Sequence, residues 1–399
     1  MNGSPMRRAA AILVVLPLLE CCSAPSPQLA PGSDTGKPWF DGFWSCARHW
    51  YASGETEGVI SPLPSRPRYA SEDVAGIADN VLLYQKSNGG WPKNYDMQAI
   101  LTEEQIATLV AVKEETNTTF DNGATHSQIH FLAHAYRHTE DERYRDGCLR
   151  GIEFILSAQY SSGGWPQFYP DPRGYQRYIT FNDGVMIGVM TVLRRIEEGD
   201  QDFAFVSSDL RDRVRRAYEK GVECILRCQI VEDGRKTVWC QQHDEQTLSP
   251  REARTFEPAA LASQESAEIV LFLMGLDAPG DSIISAVGAA VEWFRESAIE
   301  GIRVSGVPPP EMRHQYRSYG DDKVVTEDPE APPIWARFYE LGTGRPLFAN
   351  RDGRRVHVLE DVDRERRIGY GWYSYDPQKV LKDYEAWRAR RVPNEESPR

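Results

Sequence analysis

The sequence has few features of a nucleic-acid-binding or membrane-spanning protein. Among its 399 residues the acidic side chains outnumber the basic ones, and the formal net charge is −13. Proteins that bind nucleic acids carry a basic face, so this charge argues against that class, although a local group of arginines can still attract an anionic ligand. The apolar run at residues 9–19 is too short to cross a bilayer as a helix.

Cysteine is also scarce, and its spacing matches no metal site. Two of the seven cysteines lie in the first 24 residues, and the sequence contains no CxxC pair or Cys/His cluster, so zinc is not expected. The other five are Cys46, Cys148, Cys224, Cys228 and Cys240. We interpret them as buried thiols, with one disulfide that involves Cys240 as the alternative.

The alternation of polar and apolar residues that marks β-strands is rare, and residues 304–307 and 355–359 are the best short examples. From Ser71 onward, apolar residues instead recur every three or four positions, which predicts amphipathic helices. The predicted helices begin at Ser71, cover 123–138, 143–159 and 210–228, follow Asp183, and surround 269–276 and 287–294. In the less regular part after residue 308, we predict a short helix at 332–340 and a surface helix at 379–391.

A glycine-rich turn with a tryptophan recurs along the chain. Trp91, Trp165 and Trp239 stand 74 residues apart, and each follows a helical run that ends in a glutamine. The three glutamines are Gln85, Gln159 and Gln229. A fixed period with two helices per unit is typical of a repeat protein. We interpret these glutamine and tryptophan side chains as structural groups that tie the end of a helix to the next turn.

Each turn is followed by a threonine, a phenylalanine and an acidic or amide residue. The copies are Thr119-Phe120-Asp121-Asn122, Thr180-Phe181-Asn182-Asp183 and Thr255-Phe256-Glu257-Pro258. We predict that each copy begins a helix, and because consecutive helices are antiparallel, all three copies would meet at one end of the fold. The sequence therefore predicts a mainly α-helical protein, an incomplete (α/α)3 toroid with an irregular C-terminal part and few short strands.

Asp121 and Asp183 have two interpretations. A carboxylate at the start of a helix is often only a cap for free N–H groups. Its repetition at one end of a toroid favours a binding site instead. With Asn122 and Asn182 beside them, the carboxylates form a set of hard oxygen ligands, which suits Ca²⁺ better than zinc.

Several cations accompany these acids. Lys93 follows the first turn, and Arg251 and Arg254 come just before Glu257. Three more arginines lie close together in the C-terminal part: Arg337, Arg345 and Arg351. A single charged residue is usually a solvated surface group, but cations interleaved with carboxylates can hold an anionic polymer through arginine–carboxylate pairs and a bridging metal.

The N-terminus has the pattern of an export signal. Arg7 and Arg8 precede the apolar run, and small residues follow it, so we predict a cleaved signal peptide at 1–24. A lipid anchor on Cys21 or Cys22 is the alternative, which Glu20 disfavours. Residues 25–69 are predicted to be a linker and an N-terminal packing segment, and 70–391 a catalytic domain.

These features together resemble the family 10 polysaccharide lyases, the pectate lyases that degrade pectic acid. The resemblance runs from Ala70 to Trp387, and one departure from the family pattern is Ala262-Ser263-Gln264-Glu265-Ser266. The matching stretches are Asn88-Gly89-Gly90-Trp91-Pro92-Lys93-Asn94, Thr119-Phe120-Asp121-Asn122-Gly123-Ala124-Thr125, Gly163-Gly164-Trp165-Pro166-Gln167-Phe168-Tyr169-Pro170, Ile179-Thr180-Phe181-Asn182-Asp183-Gly184, Trp239-Cys240-Gln241-Gln242-His243-Asp244, Ala253-Arg254-Thr255-Phe256-Glu257-Pro258 and Pro333-Ile334-Trp335-Ala336-Arg337-Phe338-Tyr339-Glu340.

The resemblance implies a secreted, Ca²⁺-dependent enzyme that cleaves polygalacturonate by β-elimination and leaves unsaturated products. It implies that Asp121 and Asp183 belong to the metal and substrate site and that Arg254 is the base. Lys93, Asn122, Asn182 and Arg251 are expected to contact substrate. A second arginine that holds substrate is expected in the C-terminal part, as either Arg345 or Arg351. We further expect a monomer.

Arginine is an uncommon base because its pKa in water exceeds 12. A neighbouring cation or a dry cleft would have to favour its neutral form. Two other functions fit parts of the sequence. One is an α/α-toroid glycoside hydrolase that uses Asp121 or Asp183 with Glu257 as acid and base. The other is a pectin-binding protein without catalytic activity.

Overall fold

The structure, a computed structural model, describes residues 42–43, 45–47, 67–307 and 322–390. The predicted signal peptide and most of the segment 25–69 lie outside the described residues. Ten α-helices between residues 67 and 390 provide most of the regular secondary structure of the described chain. They are α1 (Val74–Tyr84), α2 (Glu103–Ala111), α3 (His126–Thr139), α4 (Glu142–Ala158), α5 (Val185–Glu197), α6 (Ser208–Cys228), α7 (Ser263–Met274), α8 (Asp281–Glu296), α9 (Arg364–Ile368) and α10 (Asp376–Ala389).

The strands are short and all their pairings are antiparallel. They are β1 (Ile179–Thr180), β2 (Val231–Glu232), β3 (Arg235–Lys236), β4 (Gln242–His243), β5 (Pro250–Arg251), β6 (Leu261–Ala262), β7 (Ile302–Val307), β8 (Asp322–Glu327), β9 (Trp335–Ala336), β10 (Phe338–Tyr339), β11 (Pro346–Ala349), β12 (Arg355–Val356) and β13 (Tyr373–Ser374). Two sheets join distant parts of the chain, in the orders β1-β4-β5 and β12-β11-β10-β6. The predicted strands at 304–307 and 355–359 are confirmed in β7 and, for two residues, in β12.

Helix starts follow the capping residues in the sequence. The Asp73 carboxylate accepts a hydrogen bond of 3.0 Å from the Gly76 amide, and Asp141 does the same for Arg143 at 2.9 Å. Such caps satisfy backbone N–H groups that have no partner inside the helix. The predicted first helix therefore begins at Val74 rather than at Ser71. Helix α2, which the sequence analysis missed, begins with a capping box between Thr102 and Gln105.

The helices alternate along the chain in the way that a toroid of helix pairs requires. Helices α1, α4, α6 and α8 are each followed by a turn region, and after these turns come α3, α5, α7 and α10 respectively. Helix α3 packs on α1 and α4, α5 packs on α6, and α7 packs on α8 and α10. The prediction of a mainly helical α/α toroid is confirmed.

The glutamine at the end of each repeat helix makes the same two hydrogen bonds. The Nε2 atom of Gln85 donates to Gly89 O at 2.9 Å and to Gly147 O at 2.8 Å. Gln159 and Gln229 make the equivalent pairs, within 2.8–2.9 Å. Each glutamine thus joins its own turn to a backbone carbonyl of the next repeat helix.

The tryptophans complete this arrangement. Nε1 of Trp91, Trp165 and Trp239 donates to the carbonyl four residues before the helix-ending glutamine, at 2.7, 2.8 and 2.6 Å. Trp335 makes the corresponding bond to Phe294 O of α8, at 2.9 Å, and is a fourth copy that the sequence spacing did not reveal. The structural interpretation of these glutamines and tryptophans is confirmed.

Two expectations about local structure are wrong. Residues 332–340 form β9 and β10 rather than a helix, because backbone pairs with β13, β6 and β11 use their hydrogen bonds. The alternative of a disulfide at Cys240 also fails, since all five cysteines among the described residues are free and buried. The Sγ atoms of Cys224 and Cys228 are 4.0 Å apart, too far for a bond.

The described part of the N-terminal segment packs on the main domain. Phe43 lies 5.2 Å from Phe131 between ring centroids, and the Asn94 amide donates to Cys46 Sγ at 3.1 Å. Among the residues that the structure describes, no helix has the length and apolarity needed to cross a membrane.

Candidate active site

Backbone pairing with the repeat tryptophans brings the first two acidic loops to the same end of the fold. The Thr119 amide donates to Trp91 O at 2.9 Å, and the Thr180 amide donates to Trp165 O at 3.3 Å. Asp121 follows two residues after the first threonine, and Asp183 follows three residues after the second. The loops of Asp121 and Asp183 contact each other, as the sequence predicted.

The third copy of the loop lies seven residues later in the chain than predicted. The amide that donates to Trp239 O, at 2.8 Å, belongs to Ala262, so the acid in the equivalent position is Glu265. Thr255-Phe256-Glu257 forms a turn, and no helix begins there, because α7 starts at Ser263. The feature that repeats in the structure is the hydrogen bond from a backbone amide to the tryptophan carbonyl. In the third copy Ala262 donates this bond, where the other two copies have a threonine.

The two acidic loops share a left-handed residue. Asn122 has φ 52° and Asp183 has φ 54°, and each is the fourth residue of its Thr-Phe sequence. Asparagine and aspartate adopt this conformation more readily than other residues with a side chain. The order of acid and amide is reversed between the loops, so the acid is on the left-handed residue only in the second.

The Asp121 carboxylate is buried and only partly neutralised. Lys93 Nζ lies 2.6 Å from its Oδ2 atom, and Asn122 Nδ2 donates to the same oxygen at 3.4 Å. The other oxygen, Oδ1, is buried without a hydrogen-bond partner among the described residues. A buried carboxylate oxygen with no donor is costly unless a cation or a ligand satisfies it.

The Asp183 side chain is exposed to the cleft, and protein atoms are packed around its carboxylate. The surrounding protein and the charge of Asp121 raise its pKa to about 7, although Arg337 and Arg254 act in the opposite direction. Asn182 Nδ2 donates to its Oδ2 atom at 2.6 Å, and Gln242 holds Asn182 by a bond of 2.7 Å. Two carboxylates that disfavour each other's charge can share a cation.

This donor set fits Ca²⁺. Asp121 and Asp183 supply two hard carboxylates. The Oδ1 atom of Asp121 has no hydrogen-bond partner among the described residues and is available to bind a Ca²⁺ ion. No group of three or more His, Cys, Asp or Glu side chains in the described part of the chain is arranged around a metal. Since Ca²⁺ takes six to eight oxygen ligands, the remaining ones would come from backbone, water or a bound anion.

Arg254 is held in a fork by Glu257. Its Nε and Nη2 atoms donate to the two carboxylate oxygens at 2.7 and 2.5 Å, and Tyr370 Oη donates to Glu257 at 2.8 Å. Burial favours the neutral form of Arg254, but the hydrogen bonds and charge of Glu257 outweigh it and raise the pKa of the guanidinium. The protein without substrate therefore keeps Arg254 protonated, contrary to the neutral form expected from sequence.

Two further arginines lie around the same aromatic ring as Arg254. The guanidinium carbons of Arg254, Arg351 and Arg366 are 4.8, 5.6 and 4.3 Å from the centroid of Phe256. Burial, together with the charges of Arg351 and Arg254, lowers the pKa of Arg366. Neighbouring cations are thus present beside Arg254, and their charges oppose the effect of Glu257 on its pKa.

Arg337 is a site residue that our sequence analysis did not assign. Its side chain is largely buried, forms an ion pair with Glu265, and lies 4.7 Å from the centroid of Tyr370. Its charge also acts on Asp183. The stretch around Trp335 carried the signal, but only the pairing of β10 with β6 and the hydrogen bond from Ser263 N to Arg337 O bring this part of the chain to the third loop.

Tyr175 lies close enough to the site to feel its charges. It is half-buried on the turn Gly174–Arg177, and burial raises the pKa of its phenol. The charges of Arg254, Glu257, Lys93 and Asp121 all act on this phenol. Sequence reasoning gave no sign of this position, because the turn belongs to no repeated motif.

The other expected substrate residues divide into two groups. Lys93, Asn122 and Asn182 contact the two acids, and Arg351 lies beside Phe256. Arg251 is instead half-exposed on β5, with Nη2 2.8 Å from Asp244 Oδ2. Arg345 is exposed on the turn between β10 and β11. Of the two candidate C-terminal arginines, the structure brings Arg351 close to Arg254 and leaves Arg345 apart.

Comparison with known proteins identifies the family. The sequence model of the pectic acid lyase family matches residues 85–381. A solved structure of the family 10 polysaccharide lyase from Cellvibrio cellulosa shares 31% sequence identity and covers 79% of this chain and 92% of its own, with a TM-score of 0.69. A variant of that lyase, solved in complex with trigalacturonic acid, has the same identity and coverage and a TM-score of 0.68. No curated protein matches the chain.

The match to the family spans most of the chain, and the match to the solved lyases extends over the fold described above. The resemblance drawn from the ordered sequence motifs is therefore confirmed. The chain belongs to the pectic acid lyase family and is a family 10 polysaccharide lyase.

Proposed function

We propose that the protein is a secreted, Ca²⁺-dependent pectate lyase that cleaves α-1,4-linked polygalacturonate by β-elimination. The observation that carries the proposal is the pair Asp121 and Asp183, two carboxylates in contacting loops with cations on both sides. Lys93 lies at Asp121, and Arg254 and Arg337 act on Asp183. Alternating acids and cations suit an anionic polymer that brings its own carboxylates into the cleft.

Asp121 and Asp183 would hold the Ca²⁺ ion, which when bound neutralises the carboxylate of the uronate that reacts. The chain supplies further cations for the same purpose. Removal of the C5 proton shifts negative charge onto that carboxylate, so a guanidinium or ammonium group placed there acidifies the proton. Arg337 has the rigid, planar donor fork for this role, and Glu265 fixes its orientation.

Arg254 is the proposed base. In its neutral form it takes the C5 proton, and the electrons of the C–H bond form the C4–C5 double bond. The C4–O4 bond breaks with its electron pair on O4, which takes a proton from solvent. Glu257 opposes the neutral form, whereas Arg366 and Arg351 favour it by like-charge repulsion. The neutral fraction rises with pH, so we expect an alkaline optimum. An optimum near pH 5 would indicate carboxylate acid/base chemistry instead.

The hydrolase alternative has less support. It requires Glu257 as an acid or base, but Arg254 and Tyr370 occupy both oxygens of this carboxylate. Although burial raises the pKa of Glu257, the hydrogen bonds from Arg254 outweigh it, and the net result is a lowered pKa. A carboxyl group in that state is a poor proton donor near neutral pH.

The test is a digest of polygalacturonate followed by the ultraviolet absorbance of unsaturated uronides. We expect absorbance to rise with added Ca²⁺ and to stop with a chelator. New reducing ends without absorbance would support the hydrolase. Retention on pectin gels without any new ends would support the binding protein.

Export and a monomeric state are parts of the same proposal. Arg7, Arg8 and the apolar run at residues 9–19 support a cleaved signal peptide. Export also agrees with the proposed substrate, because a large polymer is met outside the cell. Mass spectrometry of the mature protein from the culture medium would locate the cleavage site. Light scattering would give the oligomeric state.

A further inference from the structure

A pocket of about 570 Å³ lies between the loop after α2 and the loop after Trp165. We name it the acidic pocket; its lining residues are Glu114, Glu115, Thr116, Asn117, Phe168, Asp171, Arg173 and Gln176. The two loops are held together on both sides of the pocket. Thr116 Oγ1 donates to Asp171 at 2.6 Å, and Thr118 Oγ1 donates to Tyr169 O at 2.5 Å.

The acidic pocket adjoins the proposed active site. Its wall residue Phe168 pairs with Thr119, two residues before Asp121. The same Phe168 ring lies 5.4 Å from Lys93 Nζ, which in turn lies 2.6 Å from Asp121 Oδ2. A polymer that occupies the site at Asp121 and continues past Lys93 would enter this pocket.

The charge of the pocket is opposite to that expected for a uronate. Three carboxylates, Glu114, Glu115 and Asp171, face one guanidinium, that of Arg173. Lys86 offsets part of this charge, since its Nζ atom lies 3.4 Å from Glu115. A negatively charged sugar placed here would meet like charges, and such contacts disfavour binding.

The hydrogen-bonding groups point to the same conclusion. Ionised carboxylates accept hydrogen bonds and donate none, and a uronate carboxylate is likewise an acceptor only. Sugar hydroxyls can donate to the carboxylate oxygens of the pocket, and Arg173 can donate to an ester carbonyl. Phe168 supplies an apolar surface.

We propose that the acidic pocket binds a methyl-esterified galacturonate unit of the same polymer, next to the de-esterified unit that is cleaved. The inference rests on the proposed function and names its substrate as partly methyl-esterified pectin. The cations of the catalytic cleft favour a fully de-esterified polymer. The acidic pocket would raise the activity of the protein on a polymer with scattered methyl esters relative to that preference.

The experiment compares kcat/KM on fully de-esterified polygalacturonate and on pectin with a low, random degree of methyl esterification, at one Ca²⁺ concentration. The double variant Glu114→Gln/Asp171→Asn removes two charges without changing side-chain size. We expect the ratio of kcat/KM on pectin to that on polygalacturonate to fall about fivefold, the size that two partly exposed charges can supply. Glu114→Gln alone should give a smaller fall and serves if the double variant is unstable.

The matched control is Glu153→Gln. Glu153 is an exposed carboxylate on α4 that pairs with Arg213, away from the pocket, and its variant should leave the ratio unchanged. If the ratio of kcat/KM on pectin to that on polygalacturonate stays the same or rises in the double variant, the inference is overturned. A rise would indicate that Arg173 binds a uronate in this pocket.

A binding measurement separates this inference from the proposed function. Calorimetry with methyl-esterified and de-esterified oligogalacturonides needs no turnover. If the protein forms no unsaturated products yet prefers the esterified oligomer, the proposed function fails and the inference stands. If it forms them but binds both oligomers equally before and after substitution, or binds neither, the inference is overturned.

Discussion

Asp183 combines several features that are unusual for a single side chain. It occupies a left-handed backbone position, faces a second carboxylate, and has a pKa raised to about 7 by the surrounding protein and by Asp121. A helix cap needs none of these features. Strained backbone and perturbed pKa values concentrate at functional sites, which favours the site interpretation over the cap.

The first prediction concerns this carboxylate. We expect Asp183→Asn to lower Ca²⁺-dependent turnover by about 100-fold or more, because the side chain keeps its shape but loses the charge that we propose binds the ion. The measurement is the initial rate of uronide absorbance over a range of Ca²⁺ concentrations. Glu223→Gln, on the exposed face of α6, is the control. Wild-type rates in Asp183→Asn would restore the capping interpretation.

Arg254 and Arg251 offer a second comparison at this scale. Both are about half-exposed, at 47% and 46%, and each donates two hydrogen bonds to a carboxylate. Arg254 donates to both oxygens of Glu257, and Arg251 donates twice to the Oδ2 atom of Asp244. Lysine keeps the charge but loses the fork. We expect Arg254→Lys to lower kcat by about 100- to 1000-fold with a smaller change in KM. Arg251→Lys should stay within about threefold of the native rate.

The two substitutions lose similar ion pairs, so similar melting temperatures would show that the difference in rate comes from chemistry. If Arg251→Lys were the more damaging one, the base would be on β5, and the proposed function of Arg254 would be wrong.

Each repeat helix is joined to the next by one glutamine and one tryptophan. The tryptophans donate to carbonyls in the last turn of a helix, where backbone partners run out. The glutamines donate to a carbonyl of the turn and to a carbonyl within the next repeat helix. Because the acidic loops pair with the tryptophan backbone, the same turn that stabilises the toroid also positions Asp121 and Asp183. Stability and site geometry therefore depend on the same elements.

The third prediction tests the contribution of one such bond. Trp165→Phe removes the bond from Nε1 to Ile155 O and leaves a buried carbonyl without a partner. We expect Trp165→Phe to lower the free energy of unfolding by about 1–3 kcal/mol more than the same substitution at a tryptophan that makes no such bond. Trp293→Phe is that control, since its Nε1 makes no hydrogen bond to the described residues. Equal urea midpoints for the two variants would contradict the prediction.

A pocket of about 350 Å³ that is open to solvent lies beside the acidic loops, between α3, α5 and α7. Asp183 lies at one side of it, and His126 and Glu268 also line it. Burial, with the charge of Glu265 next, raises the pKa of Glu268 to about 8. Burial also lowers the pKa of His126 to about 4, so this pocket favours the neutral form of both groups.

The fourth prediction follows from Glu268. Below its unfolded pKa, both states of the protein hold the proton. As pH rises towards 8 the unfolded state ionises first, so the native state loses stability, and the loss is complete above pH 8. We expect Glu268→Gln to melt about 2 °C or more above the native protein at pH 9 and at the same temperature near pH 4. A constant difference across this range would show that Glu268 does not titrate in this way.

The sequence by itself determined the helices, the repeat and the first two acidic loops. Periods of three and four residues and capping aspartates are local signals, and the 74-residue spacing of the tryptophans is independent of any distant contact. For the same reason Asp121 and Asp183 could be named from the repeated loops alone, whereas Arg254 was named from the resemblance to a known family.

The tertiary structure decided which groups complete the site. The third loop could not be found from residue types, because Ala262 contributes only its backbone. Arg337, Arg366 and Tyr370 come from segments whose short strands form through partners far away in the chain, and no local pattern fixes such pairs. The charge state of Arg254 also depends on how Glu257 and its neighbours are placed around it, since electrostatic effects follow distance in space rather than distance along the sequence.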